Sequence, residues 1–141
     1  MGMQRPMPET DTDAASFWKG AGEHKLMIQR CTQCGQHQHY ARPFCIKCRS
    51  AAVEMVEASG RGTVYSFTVI HRGPYDDIPT PYVVGLVRLE EGPTLLSNIV
   101  DCDPASVRCD MAVAVSYQPL SDGIVLPVFR PSRPVQAAQG A

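Results

Sequence analysis

The chain has 141 residues, a formal net charge of -1 and 44% apolar residues. This is enough for one domain or two very small ones, with an ordinary core and no polyelectrolyte character. No apolar run approaches the ~20 residues of a membrane-spanning helix. Residues 1–10 lack the apolar centre of a signal peptide, so the expected compartment is the cytoplasm, with no membrane partner.

Residues 1–13 are polar and proline-containing and read as a disordered N-terminus. Thr12 or Asp13 is placed to cap a short helix carrying Ala14, Ala15, Phe17 and Trp18, ended by Gly20 and Gly22. Two large aromatics on so short a helix need a surface to bury against, either the chain's own core or a partner subunit. Lys25 to Arg30 reads as a strand leading into the densest motif of the chain.

That motif is CTQCGQHQHYARPFCIKC, with Cys31 and Cys34, ten residues, then Cys45 and Cys48. Each Cys-x-x-Cys turn aims two thiolates at one point, and two facing turns make a closed tetrahedral site of the kind structural zinc occupies. Gly35 suits the tight knuckle after the second cysteine. Iron, a redox role or two disulfides are the alternative uses of four such cysteines. His37 and His39 lie between the pairs and read as polar residues, with four sulfurs already supplied. A closed site has no open position for substrate, so the motif implies a scaffold. No acidic residue occurs between His24 and Val53, while Lys25, Arg30, Arg42, Lys47 and Arg49 are all positive. With one zinc ion and four thiolates contributing -2, the module keeps about +3. Those cations either merely offset the metal–thiolate centre or also attract a phosphate-bearing ligand or an acidic partner surface.

From Glu54 to Arg130 the balance reverses, with ten acidic residues against five arginines. The texture changes to short strands. TVYSFTVIH follows Gly60 and Gly62, with Val64, Ser66, Thr68 and Ile70 expected on one face and Tyr65, Phe67 and Val69 on the other. Further strands are expected at Tyr82 to Glu90, Thr94 to Asp101, Met111 to Tyr117 and Ile124 to Arg130. Pro127 argues for an edge position in the last. Five short strands suit a Greek-key barrel of the OB type. The proline-rich loop His71 to Pro81 is long for a connection between neighbouring strands. Cys102 and Cys109 belong to no Cys-x-x-Cys pair and read as small apolar residues. The expected organisation is therefore residues 14–53 for helix and zinc ribbon, 54–130 for the barrel, and 131–141 as a disordered tail. The fold class is mainly β: a short helix, a rubredoxin-like zinc ribbon and a five-stranded OB-fold barrel.

The succession FWKG, HKLMIQRCTQCGQ, RPFCIKC and GRGTVYSFTVIH resembles a bacterial and archaeal zinc-ribbon/OB-fold family associated with acyl-CoA metabolism, the domain of unknown function numbered thirty-five. The resemblance covers roughly Ala14 to Arg130 and puts the family's metal ligands on Cys31, Cys34, Cys45 and Cys48. Asp110 stands where the family often has a glycine, and aspartate tolerates the left-handed backbone such a turn needs. The resemblance implies a non-catalytic accessory subunit of a thiolase-like enzyme, or of an acyl-CoA hydratase or aldolase. Such a subunit forms a hetero-oligomer and helps assemble the complex or hold a coenzyme A thioester. No catalytic residue is assigned, and no turnover is expected of the chain alone. A single-stranded nucleic-acid binder, stacking bases on Tyr65 and Phe67, is the second reading, and a small standalone acyl-CoA enzyme the third. The barrel's five net negative charges oppose nucleic acid, so none is expected as a partner.

Overall fold

The computed structural model describes residues 2–132. Helix α1 (Ala15–Gly22) precedes strands β1 (Met27–Cys31), β2 (His37–Gln38) and β3 (Val53–Glu57), which form an antiparallel sheet ordered β2-β1-β3. Strands β4 (Arg61–Ile70), β5 (Tyr82–Leu89), β6 (Thr94–Ile99), β7 (Ala112–Pro119) and β8 (Val125–Pro131) close a barrel ordered β4-β5-β6-β8-β7. This is the expected mainly-β architecture. No helix among the described residues is long and apolar enough to cross a membrane. Most of the tail expected to be disordered, 133–141, lies outside the described residues.

At the helix start, Ala14 occupies the cap position with no side-chain bond of its own, and the Thr12 hydroxyl accepts from Ala14 N–H at 3.2 Å. Gly20 and Ala21 are the buried residues of α1, where small side chains let the helix sit close on β1. Residues ahead of the helix lie against the long proline-rich loop. The Arg5 guanidinium bonds the Asp77 carboxylate at 3.1 Å, and Asp76 N–H donates to the Met3 carbonyl at 2.8 Å.

The alternation expected along β4 holds only as far as Val64. A β-bulge between Val64 and Ser66 inserts Tyr65 as an extra residue. The bulge shifts the pleat by one, so Val64 points inward and is followed inward by Phe67 and Val69, which pack on the core. Tyr65 stays outside under the Arg88 guanidinium, 4.3 Å from its ring centroid. Tyr65 and Phe67 therefore do not share a face, and the stacking platform expected of them does not form. At Gly62, any Cβ would run into the Arg88 carbonyl of the neighbouring strand, which explains the glycine at the barrel entry. Asp110 is left-handed, with φ of 68°, as its place at a family glycine implies.

Pro127 lies in a strand flanked on both sides rather than at a sheet edge. It pairs with Tyr117 of β7, while β6 pairs with β8 in parallel at one position only, Ile99 with Phe129. Pro127 offers no N–H toward β6, and a side-chain bond from the Ser97 hydroxyl to the Pro127 carbonyl at 3.0 Å joins the two strands there.

Ribbon and barrel share one core. Leu26 and Ile28 cluster with Ala58, Val64, Val87, Leu95, Val113 and Phe129, all nearly inaccessible. Ala58 N–H donates to the Leu26 carbonyl at 2.8 Å, and His24 stacks on Tyr117 at 4.8 Å. Strand β1 of the ribbon thus packs into the same core as the barrel.

Candidate metal centre and the adjoining cleft

Two loops with the same backbone course build the cysteine site. In the first, Gly35 N–H donates to the Cys31 carbonyl and Cys31 N–H to the Gln36 carbonyl, at 2.9 and 2.8 Å. Fourteen residues on, Arg49 N–H and Cys45 N–H repeat both bonds to Cys45 and Ser50 at the same distances. Gly35 has φ of 80° and Arg49 φ of 66°, so the second knuckle puts a side chain where the first has none. The glycine stands out in the sequence, whereas its arginine counterpart emerges only when CTQCG is aligned on CIKCR.

The four sulfurs converge, all within 4.8 Å of one another, with Cys31 Sγ 3.6 Å from Cys48 Sγ and Cys34 Sγ 3.7 Å from Cys45 Sγ. A zinc ion about 2.3 Å from each of four tetrahedral sulfurs sets them about 3.8 Å apart, so the donor set and its spacing fit zinc. Amides aim at the sulfurs: Cys34 N–H at Cys31 Sγ (3.4 Å), and Lys47 and Cys48 N–H at Cys45 Sγ (3.3 and 3.5 Å). The Cys48 amide does most to pull the Cys45 thiol down to about 6, and the Cys34 amide lowers Cys31 similarly. Although the Ser50 amide pulls Cys48 the other way, burial and the neighbouring sulfurs push that thiol up to about 11. Cys31 and Cys45 are buried and Cys34 and Cys48 exposed, so one sulfur of each knuckle faces the core. His37 and His39 lie outside this cluster. Cys102 is half-buried on the barrel core and Cys109 is exposed, which departs from the apolar-residue reading for the latter.

Beside the centre, where ribbon, helix and barrel meet, opens an apolar cleft of about 560 Å³. Phe17, Trp18, His39, Tyr40, Leu96 and Leu126 are among its walls. Phe17 does double service: it packs on the shared core and meets Trp18 edge-on, with centroids 5.1 Å apart. His39 lies 5.3 Å from the Phe17 ring, and its burial pushes its pKa down to about 4, keeping it neutral. Apart from Lys25, which approaches Glu23, the ribbon cations behave differently. Arg30, Arg42, Lys47 and Arg49 are exposed, with no carboxylate within ion-pair distance among the described residues.

Comparison with known proteins agrees with this reading. Residues 18–54 match the ChsH2 rubredoxin-like zinc ribbon domain and residues 55–118 the ChsH2 C-terminal OB-fold domain. A "DUF35 domain-containing scaffold protein" of Methanocaldococcus jannaschii is 34% identical over 77% of this chain and 82% of its own. A "Probable enoyl-CoA hydratase alpha subunit" of Thermomonospora curvata is 38% identical over 92% of this chain, which spans 41% of that protein's length. The "Benzoylsuccinyl-CoA thiolase subunit BbsA" of Geobacter metallireducens is 33% identical over 72% of this chain and 68% of its own. Among solved structures, an "Ltp2-ChsH2(DUF35) aldolase" superposes with a TM-score of 0.81 at 38% identity, over 90% of this chain and 98% of that one. The chain belongs to the DUF35 family, whose members pair a ChsH2-type zinc ribbon with an OB-fold barrel.

Proposed function

We propose that this chain is a non-catalytic accessory subunit of an acyl-CoA-processing enzyme. It assembles with a hydratase, aldolase or thiolase partner and assists acyl-CoA binding or transfer there. The observation that carries the reading is the pairing of a closed four-sulfur site with relatives named as subunits of all three kinds of enzyme. Cys31, Cys34, Cys45 and Cys48 hold one structural zinc ion, which fixes the ribbon and leaves no open coordination position for chemistry. Phe17 and Trp18 form an aromatic pair at the surface beside an apolar cleft, a composition typical of interface anchors. Arg30, Arg42, Lys47 and Arg49 give the ribbon an exposed cationic surface that complements the phosphates of a coenzyme A thioester held at the junction with the partner. The acidic barrel opposes a nucleic-acid role.

The test is co-expression with acyl-CoA hydratase, aldolase and thiolase subunits from the same genome, followed by size-exclusion chromatography. A stable hetero-oligomer is expected, and separate elution of the two chains would refute the assembly role.

A further inference from the structure

The two knuckles share a backbone course and differ in what they present to solvent. Aligned on their hydrogen bonds, Thr32, Gln33 and Gly35 of the first correspond to Ile46, Lys47 and Arg49 of the second. The first set is neutral, and it is all that a cysteine loop of this shape requires. The second places an apolar side chain and two cations at the same points, and Phe44 stands one residue before Cys45. Phe44 is 44% and Ile46 53% exposed.

That exposure is held in place. Buried Gln38 takes the Ile46 N–H at 2.9 Å and gives to the Phe44 carbonyl at 3.1 Å. The main chain is therefore pinned on both sides of Cys45 while the two side chains stay in solvent. Arg49 is the more telling residue. Its φ of 66° is a left-handed conformation that strains a side chain and suits glycine, and the first knuckle has Gly35 at that point. Arg49 has no carboxylate within ion-pair distance among the described residues. A strained arginine where a glycine builds the same loop points to a use outside the loop.

Charge selects the kind of partner. From Glu54 to Arg130 the chain carries ten acidic residues against five arginines. An extended anionic surface, whether lipid or nucleic acid, meets that acidic barrel as well as the knuckle and is repelled by it. A protein face can confine its carboxylates to a patch the size of the knuckle, around a depression that takes apolar side chains.

We propose that the second knuckle is a docking surface for a protein face on which carboxylates rim an apolar depression. Phe44 and Ile46 fill the depression, and Lys47 and Arg49 pair with the carboxylates. The proposal deepens the accessory-subunit reading and rests on it only for which polypeptide supplies that face. Within that reading, the cations turned toward ligand phosphates narrow to Arg30 and Arg42.

The first knuckle supplies the test variant. Ile46→Thr/Lys47→Gln/Arg49→Gly gives the second loop the surface that the first carries on the same backbone, so zinc content and melting temperature should be kept. The isotope-labelled, zinc-loaded chain is titrated with an end-blocked amphipathic peptide of leucine and glutamate, its lysine counterpart, coenzyme A and phosphatidylglycerol vesicles. The glutamate peptide should shift the amide resonances of Ile46, Lys47 and Arg49 saturably. The triple variant should bind it at least tenfold more weakly, and Phe44→Ser should weaken it as well. No saturable shift at those amides, equal binding of the lysine counterpart, or a larger response there to coenzyme A or to the vesicles would overturn the proposal. The triple variant is also co-expressed with the acyl-CoA enzyme subunits. If it forms the complex as well as the wild type does, the knuckle surface falls and the accessory role stands. Peptide binding by a wild-type chain that forms no complex would uphold the surface and refute the accessory role.

Discussion

Gln38 Nε2 donates to Gln29 Oε1 at 2.8 Å across the β1–β2 ladder, and the two amides are buried together at the base of the cysteine site. Between them they bind the loop that carries the second knuckle. Gln29 takes the Arg42 N–H and gives to the Arg42 carbonyl, both at 2.9 Å, while Gln38 takes the Ile46 N–H at 2.9 Å and gives to the Phe44 carbonyl at 3.1 Å. The pair ties the loop of the second knuckle to β1 and β2. Gln38→Ala should cost about 1–3 kcal/mol, because it strands the Ile46 N–H and the Phe44 carbonyl. Chemical denaturation and zinc competition with a chelator would register it together; unchanged values in both would show the pair to be incidental.

The two knuckles make a paired test of backbone strain. A Cβ at Gly35 meets open space, so Gly35→Ala should lose about 1–2 kcal/mol from the left-handed conformation alone. Arg49→Gly relieves the matching strain in the second knuckle and should be neutral or stabilising by up to about 1 kcal/mol, after the added freedom of the unfolded chain. Thermal melts of the zinc-loaded variants decide it, and equal losses at both positions would refute the symmetry of the loops.

His39 supplies a pH dependence. Its folded value of about 4 lies below the ordinary 6.5, so the unfolded chain binds the proton first as pH falls. Stability contributed by neutral His39 is complete above pH 6.5, declines through the interval below it and is lost once pH passes about 4, by at most about 3 kcal/mol. His39→Phe should flatten this part of the stability–pH profile. A variant with the slope of the wild type would place its origin elsewhere.

Loss of metal should reach the barrel. Cys45→Ser should abolish the bound zinc, read by elemental analysis. It should also lower the melting temperature of the whole chain, because Leu26 and Ile28 of the ribbon complete the barrel core. Full retention of zinc would refute the ligand set, and an unchanged barrel transition would refute the shared core.

Much of this fold is legible in the residues. The cysteine spacing announces the centre, because a motif of period three within each pair leaves little geometric freedom. The barrel strands follow from alternating apolar residues. The bulge at Tyr65 is hidden, since an extra residue in TVYSFTV looks like continued alternation until its partner strand is known. Strand β3 escapes a sequence reading because VEMVE acquires its role only by pairing with β1. The Gln29–Gln38 pair is invisible for the same reason, two polar residues whose burial depends on a fold made elsewhere. Closure of the barrel between β6 and β8 depends on a single parallel pairing between residues 30 apart, Ile99 and Phe129, which no local pattern encodes.

The central claim is that chemistry resides on the partner and assembly on this chain. It is tested most directly by one thioester-turnover assay on the purified zinc-loaded chain, the partner enzyme and the reconstituted complex. The account predicts no turnover by the chain alone and more by the complex than by the partner, with Trp18→Ala weakening the complex. Acyl-CoA turnover by the isolated chain would contradict it.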